Sequence, residues 1–203
     1  MPFSYSSQLS AIVGFAERLQ PQAVLDVGVG MGQYGFLLRM NLEHLNLFRI
    51  EGRTASQRPR SEWQKRIDGI EGYPGYFTPV HHYVYDRLLV GDALEQLATL
   101  PAASYDLVLA IDILEHFEKP AGRDFLRACE RVSRGAVLVS TPKDFLEQHV
   151  EANPLEDHRS HWTQAELREC GFANFLIDPY SWIGISWQGH GVLPAHLLDR
   201  AVP

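Results

Sequence analysis

Short, nearly continuous apolar runs alternate with amphipathic stretches along this chain, the pattern of strand–helix–strand units around a parallel sheet. Ala23-Val24-Leu25-Asp26-Val27 holds a single polar residue, as a strand buried on both faces requires. Ile67 to Glu71, Leu88 to Val90, Leu107 to Ile111 and Ala136 to Ser140 supply four more strand candidates. Phe175 to Ile177 and Ile183 to Ile185 suggest a closing antiparallel pair. Helical spacing marks a leading helix within about residues 5–20 and a second from Gly32 to Met40. A third carries Phe125, Leu126, Cys129 and Val132 behind Pro120, which a first helical turn tolerates. Thr163 to Glu169 reads as the last helix, with Thr163 and Glu166 as a capping box, Trp162 as a staple and Gly171 as a stop. The chain shows no internal repeat or low-complexity tract, and 203 residues suit one domain. The expectation is a single α/β domain over residues 1–203 on a doubly wound, seven-stranded sheet. That sheet should be mostly parallel, with a C-terminal antiparallel strand and helices on both faces.

The first strand runs into Gly28-Val29-Gly30-Met31-Gly32-Gln33-Tyr34-Gly35, and a helix follows directly. Glycines there let the backbone turn tightly and approach a ligand, while the helix N-terminus presents free N–H groups. The segment therefore reads as a cofactor cradle. Gly30, Gly32 and Gly35 also satisfy the G-x-G-x-x-G spacing of dinucleotide-binding proteins, which keeps an NAD(P)-dependent oxidoreductase open. Asp26, two residues ahead of Gly28, tips the reading the other way. A carboxylate there suits a ligand with an ammonium and a sulfonium group and would repel a pyrophosphate.

The string from Asp26 to Gly32 resembles the first motif of class I S-adenosylmethionine-dependent methyltransferases, of the bacterial small-molecule type. Three further segments follow in that family's order. Arg66-Ile67-Asp68-Gly69-Ile70-Glu71 resembles the strand whose terminal acid holds both ribose hydroxyls. Leu89-Val90-Gly91-Asp92-Ala93 resembles the motif whose Asp accepts from the adenine amino group. Tyr105 to Asp112 resembles the fourth strand, with Ile113-Leu114-Glu115-His116 passing over the cofactor. Glu71, Asp92 and Asp112 lie 21 and 20 residues apart, one strand–helix step each. The resemblance covers about residues 22–190 and implies a Rossmann-like fold. It implies S-adenosylmethionine as cofactor, bound by Asp26, Gly28, Gly30, Gly32, Gln33, Glu71, Asp92, Ala93 and Asp112. One interval departs from the family: Glu71 follows Gly32 by 39 residues, whereas Glu51, at 19, has the usual spacing and closes a possible strand, Leu47 to Glu51. Choosing Glu71 makes residues 42–65 an insertion, a basic one that carries Arg49, Arg53, Arg58, Arg60 and Lys65.

Methyl transfer from a sulfonium is an in-line displacement, so positioning dominates and a hydroxyl acceptor gains from a base. His116, after the fourth strand, is the first candidate base. His158, in the Asn153 to Trp162 segment after the fifth strand, is the second, and Arg159 beside it suits an anionic group. His81-His82 and the Asp157, His158, His161 group show no recognised local ligand spacing, so no metal is expected. Cys129 and Cys170 read as core thiols.

The net charge of −7 argues against a nucleic-acid polyanion as the main partner. No apolar run approaches membrane length, and Met1-Pro2-Phe3-Ser4 lacks a signal-peptide layout, so a cytoplasmic protein is expected. The segment from Asp112 to Glu115 also lacks the Asn/Asp-Pro-Pro-aromatic string of many amino-directed methyltransferases. The partner expected is a small-molecule methyl acceptor, a hydroxyl-bearing metabolite or saccharide. A methyltransferase-like protein that binds cofactor without catalysis is the other alternative.

Overall fold

The computed structural model describes residues 6–43 and 48–198. The main sheet contains β1 (Ala23–Val27), β4 (Arg66–Glu71), β5 (Arg87–Val90), β6 (Tyr105–Ile111), β7 (Ser133–Pro142), β8 (Asn174–Leu176) and β9 (Ser181–Trp187). Its order is β5-β4-β1-β6-β7-β9-β8. β1 lies between β4 and β6, parallel to both, with Val24 beside Ile67 and Leu107. β9 runs antiparallel to β7 and β8 antiparallel to β9, so β9 alone is reversed in this sheet. The mostly parallel, seven-stranded sheet expected from the hydrophobic pattern is the one present.

Strand order reverses between β1 and β6, so the loops that leave their carboxyl ends part and open a crevice. Every residue of β1 is buried because helices cover both sheet faces. On one face α1 (Leu9–Leu19), α2 (Gln33–Leu42) and α3 (Pro79–Val84) bring Ile12, Phe15, Leu38 and Val84 against Val24, Ile67 and Leu107. On the other, α4 (Ala93–Thr99), α5 (Lys119–Val132) and α6 (Gln164–Glu169) bring Leu97, Phe125, Cys129 and Leu167 against Leu25, Val27 and Val108. α3 and α4 were not among the helices expected. Six and seven residues hold too few turns to show a periodic face. Trp162 is fully buried beside the Thr163–Glu166 capping box. No helix among the described residues is long and apolar enough to cross a membrane.

The insertion forms a separate antiparallel hairpin, β2 (Phe48–Glu51) with β3 (Thr54–Gln57). The alternative strand therefore exists from Phe48, Leu47 lying outside the described residues, but it stands apart from the main sheet. Burial explains the choice. All four residues of β2 are exposed, whereas five of the six in β4 are buried. Burying Ile67 and Ile70 alone is worth about 1.5–3 kcal/mol each.

A buried arginine fixes where the insertion ends. Arg39, on α2, is 0% exposed. Its guanidinium donates to the carbonyls of Val84 and Lys65 and to the Asp86 carboxylate at 2.8 Å. Glu43, one turn further along, accepts from the N–H groups of Gln64 and Lys65. Together they pin the approach to β4 and the turn into β5, and so place Glu71. Arg39→Met leaves the buried Glu43 carboxylate without this cation, and Asp86 with Arg60 alone at 3.5 Å, and should cost about 3–5 kcal/mol in denaturant unfolding. A loss under about 1 kcal/mol, the range of an exposed ion pair, would contradict this account of the clamp.

Candidate active site

The crevice holds a cavity of about 470 Å³, within the usual range of ligand sites. Of the residues expected to hold cofactor, Gly28, Gly30, Gln33, Glu71, Asp92, Ala93 and Asp112 line it. Glu115, His116, His158 and Arg159 line it too. Asp26 and Gly32 are not among the lining residues.

Gly28 has φ +77° in the turn that leaves β1, and a Cβ there would meet Ile113 Cδ1 at 2.8 Å. Only glycine fits both the left-handed backbone and this contact. The N–H groups of Gly28 and Val29 donate to Ile70 O at the end of β4. Gly30 N–H donates to Glu71 Oε2 at 2.9 Å, and Tyr73 N–H donates to Oε1 at 2.8 Å. Burial pushes the Glu71 carboxyl up, and these N–H groups pull it back down. Two oxygens with roughly four lone-pair sites keep capacity for further donors. Asp92 caps α4 by accepting from Glu95 N–H at 3.1 Å. Asp112 has φ +49°, a conformation that costs a non-glycine residue energy and is retained by its partners. Gln8 Nε2 and Ser140 Oγ both donate to its carboxylate, at 2.6 Å each. The segment ahead of α1 thus closes against the site.

Asp26 departs from the sequence expectation. Its side chain is 2% exposed beneath the glycine loop, and Tyr85 Oη donates to Oδ2 at 2.5 Å. Burial pushes its pKa up to about 7, with the Tyr85 hydrogen bond opposing and the Glu71 charge adding. The same burial pushes the Tyr85 phenol well above its ordinary value, so Tyr85 remains the donor. Asp26 therefore braces the loop from below and is not among the residues that line the cavity. Gly32 (φ +79°) begins α2, its Cβ position 3.2 Å from His81 Nε2, which also contacts Gly30 O at 2.9 Å.

The loops after β6 and β7 build another part of the cavity wall. Arg159 and Ser160 donate their N–H groups to Glu115 O at 2.8 and 3.1 Å, docking one loop on the other. His116 Nδ1 lies 3.2 Å from Asp157 O, and His158 Nδ1 lies 2.5 Å from Leu146 O. A carbonyl only accepts, so each imidazole carries its proton on Nδ1 and keeps the Nε2 lone pair. Burial lowers the His116 pKa, which favours the neutral ring. The two ring centroids are 5.1 Å apart. Glu115 is 4% exposed, and burial, then the Asp112 charge, push its carboxyl well up. Its Oε2 has no hydrogen-bond partner. Sequence reasoning quoted Glu115 and gave it no role. The available signal was positional: loops after adjacent parallel strands emerge at one sheet edge. Above them, Asn153 Nδ2 donates to Tyr76 Oη, which donates to Glu156, and Leu155 closes over Gly72. His161 Nε2 is 2.7 Å from Lys143 O, and His161 is not part of the group that Glu115, His116 and His158 form.

No family model matches the chain, and no curated protein matches it. Solved structures resemble it throughout. The N-terminal domain of EvdMO1, crystallised in the presence of S-adenosylhomocysteine (SAH) and D-fucose, is 17% identical with a TM-score of 0.58, over 91% of this chain and 84% of that one. The Burkholderia thailandensis 1,6-didemethyltoxoflavin-N1-methyltransferase, with bound 1,6-didemethyltoxoflavin and SAH, is 14% identical with a TM-score of 0.61, over 90% and 78%. A SAM-dependent methyltransferase from Aquifex aeolicus is 15% identical with a TM-score of 0.56, over 90% and 93%. The chain has the fold of these methyltransferases.

The buried Asp26 makes stability depend on pH in a defined direction. Its folded pKa, about 7, exceeds the ordinary 3.8, so its contribution is complete below pH 3.8 and is lost as pH rises through 7. Relative to Asp26→Asn, the native chain should lose up to about 4 kcal/mol between pH 4 and 8, at 1.36 kcal/mol per pKa unit. Chemical denaturation of both proteins across that range measures it. Parallel stability curves would show that Asp26 titrates as an ordinary carboxylate.

Proposed function

We propose that this chain transfers the methyl group of S-adenosylmethionine to a hydroxyl of a small-molecule acceptor. The observation that carries the reading is a single cavity with two chemically different ends. One end joins the glycine loop to Glu71, Asp92 and Asp112, and the other presents the Nε2 lone pairs of His116 and His158. Six carboxyl side chains but one guanidinium line that cavity. Such a lining attracts a cationic sulfonium and repels a pyrophosphate. These residues, and not the buried Asp26, supply that charge to the cavity. The fold supports the reading, since two solved neighbours were crystallised with SAH. One of them was prepared with a sugar and the other with a heterocyclic acceptor.

In this reading Glu71 takes the ribose diol, Asp92 and Ala93 meet the adenine, and Asp112 and the glycine loop meet the amino-acid end. The acceptor lies against Glu115, His116 and His158, with Arg159 positioned for an anionic substituent. The oxygen–methyl bond forms as the sulfur–methyl bond breaks, the electron pair returns to sulfur, and the hydroxyl proton leaves on the imidazole side. Alignment of donor and acceptor in one cavity supplies up to roughly 10 kcal/mol.

SAH at about a hundred times its dissociation constant should stabilise the protein by roughly 2.7 kcal/mol, and NAD should not. Glu71→Ala should weaken SAH binding by about 1.5–3 kcal/mol, the range for hydrogen bonds to a charged group, while Glu51→Ala leaves it unchanged. Stabilisation by NAD alone would overturn the methyl-donor reading.

Methyl-labelled donor incubated with cell extract should place label in the small-molecule fraction. With an acceptor isolated that way, His116→Ala should lower turnover about 10²–10⁴-fold at nearly constant SAH affinity. Label confined to protein or nucleic acid would defeat the small-molecule assignment. Full turnover by the variant would remove His116 from the chemistry.

A further inference from the structure

We propose that Glu115, His116 and His158 together bind a divalent transition-metal cation, and that the acceptor's hydroxyl ionises on it. This rests on the methyl-transfer reading and specifies how the imidazole end of the cavity works. The exclusion of metal from sequence relied on local ligand spacing, and here the ligands come from two loops that only the fold brings together.

The geometry has three independent parts. One carboxylate oxygen and one nitrogen from each imidazole all lie within 4.8 Å of one another. Metal bonds of about 2.0–2.2 Å place neighbouring ligand atoms roughly 3–4 Å apart, so side-chain rotations of about 1 Å close the site. Second, both imidazoles are already oriented as ligands. Each donates its Nδ1 proton to a backbone carbonyl, Asp157 O or Leu146 O, which fixes the ring and leaves Nε2 for coordination. Third, Glu115 is 4% exposed and its Oε2 has no partner. A buried carboxylate oxygen left unsatisfied is costly, and coordination satisfies it.

The donor set of two neutral imidazoles and one carboxylate suits first-row divalent ions such as Zn²⁺, Mn²⁺ or Co²⁺ and leaves positions open. A cation bound there would hold Glu115 as the carboxylate. In an open position the acceptor's hydroxyl oxygen coordinates the cation, and its proton leaves on that same side to water, because the metal holds both Nε2 lone pairs. The resulting alkoxide attacks the methyl carbon, the carbon–sulfur bond breaks, and the thioether SAH departs with the electron pair. No electron is gained or lost by the metal.

The test begins with chelator-treated protein titrated with Co²⁺ and Zn²⁺. Co²⁺ should bind one per chain and give visible d–d absorption that Zn²⁺ displaces. Glu115→Gln, nearly isosteric, and His158→Ala should each weaken binding at least tenfold, whereas His161→Ala leaves it unchanged. SAH binding by every variant, equal to the native chain's within about twofold, reports that each is folded. Absence of stoichiometric Co²⁺ binding, or binding that survives both Glu115→Gln and His158→Ala, overturns the site. Full turnover by metal-free protein that still binds SAH also overturns it while leaving methyl transfer intact. Failure of the native chain to bind SAH would strike the methyl-transfer reading itself.

Discussion

The hydrogen bond from Gly30 N–H to Glu71 joins the loop after β1 to the end of β4, and the glycine-loop end of the cavity depends on it. It forms because β1 and β4 are parallel neighbours in a register that sets Val27 beside Ile70, one residue short of Glu71. That register in turn depends on the insertion between α2 and β4 being closed off, which Arg39 and Glu43 do by gripping the backbone at Gln64 and Lys65. Asp26 and Tyr85 brace the same loop from below. A chain of buried polar contacts thus carries the geometry from one sheet face to the crevice.

Much of this architecture was legible because strands buried on both faces read as unbroken apolar runs. That Ile67 to Glu71, and not Leu47 to Glu51, supplies a strand of the main sheet was legible for the same reason: Ile67 and Ile70 suit a buried strand, whereas the Phe48–Glu51 strand is exposed throughout. The direction of the Asp26 side chain was not legible from the motif. Side chains alternate along a strand, so Asp26 shares the Val24 face, where Tyr85 packs, and the ligand crevice begins only beyond the strand end. The Glu115–His116–His158 cluster was illegible as a motif. Its members lie on loops after β6 and β7, and only the pairing of those strands and the Glu115 O contacts with Arg159 and Ser160 bring them together.

Electrostatics give the two ends of the cavity a common logic. Carboxyls line it throughout, and burial raises the pKa of both Glu71 and Glu115 because water is excluded without a compensating cation. A positively charged ligand at either end relieves that cost. In the proposed reading the sulfonium of the methyl donor would meet this need at the junction of the two ends, and a divalent cation would meet it beside the imidazoles. In that reading, loss of the sulfonium's charge on transfer would also favour release of the spent donor from an acidic lining.

The most direct test is the structure of the protein with SAH bound. The account predicts adenine beside Asp92 and Ala93, the ribose diol on Glu71, and the sulfur facing His116 and His158 from within the same cavity. A ligand reversed in the crevice, with its sulfur turned away from the imidazoles, or seated outside the cavity would contradict it.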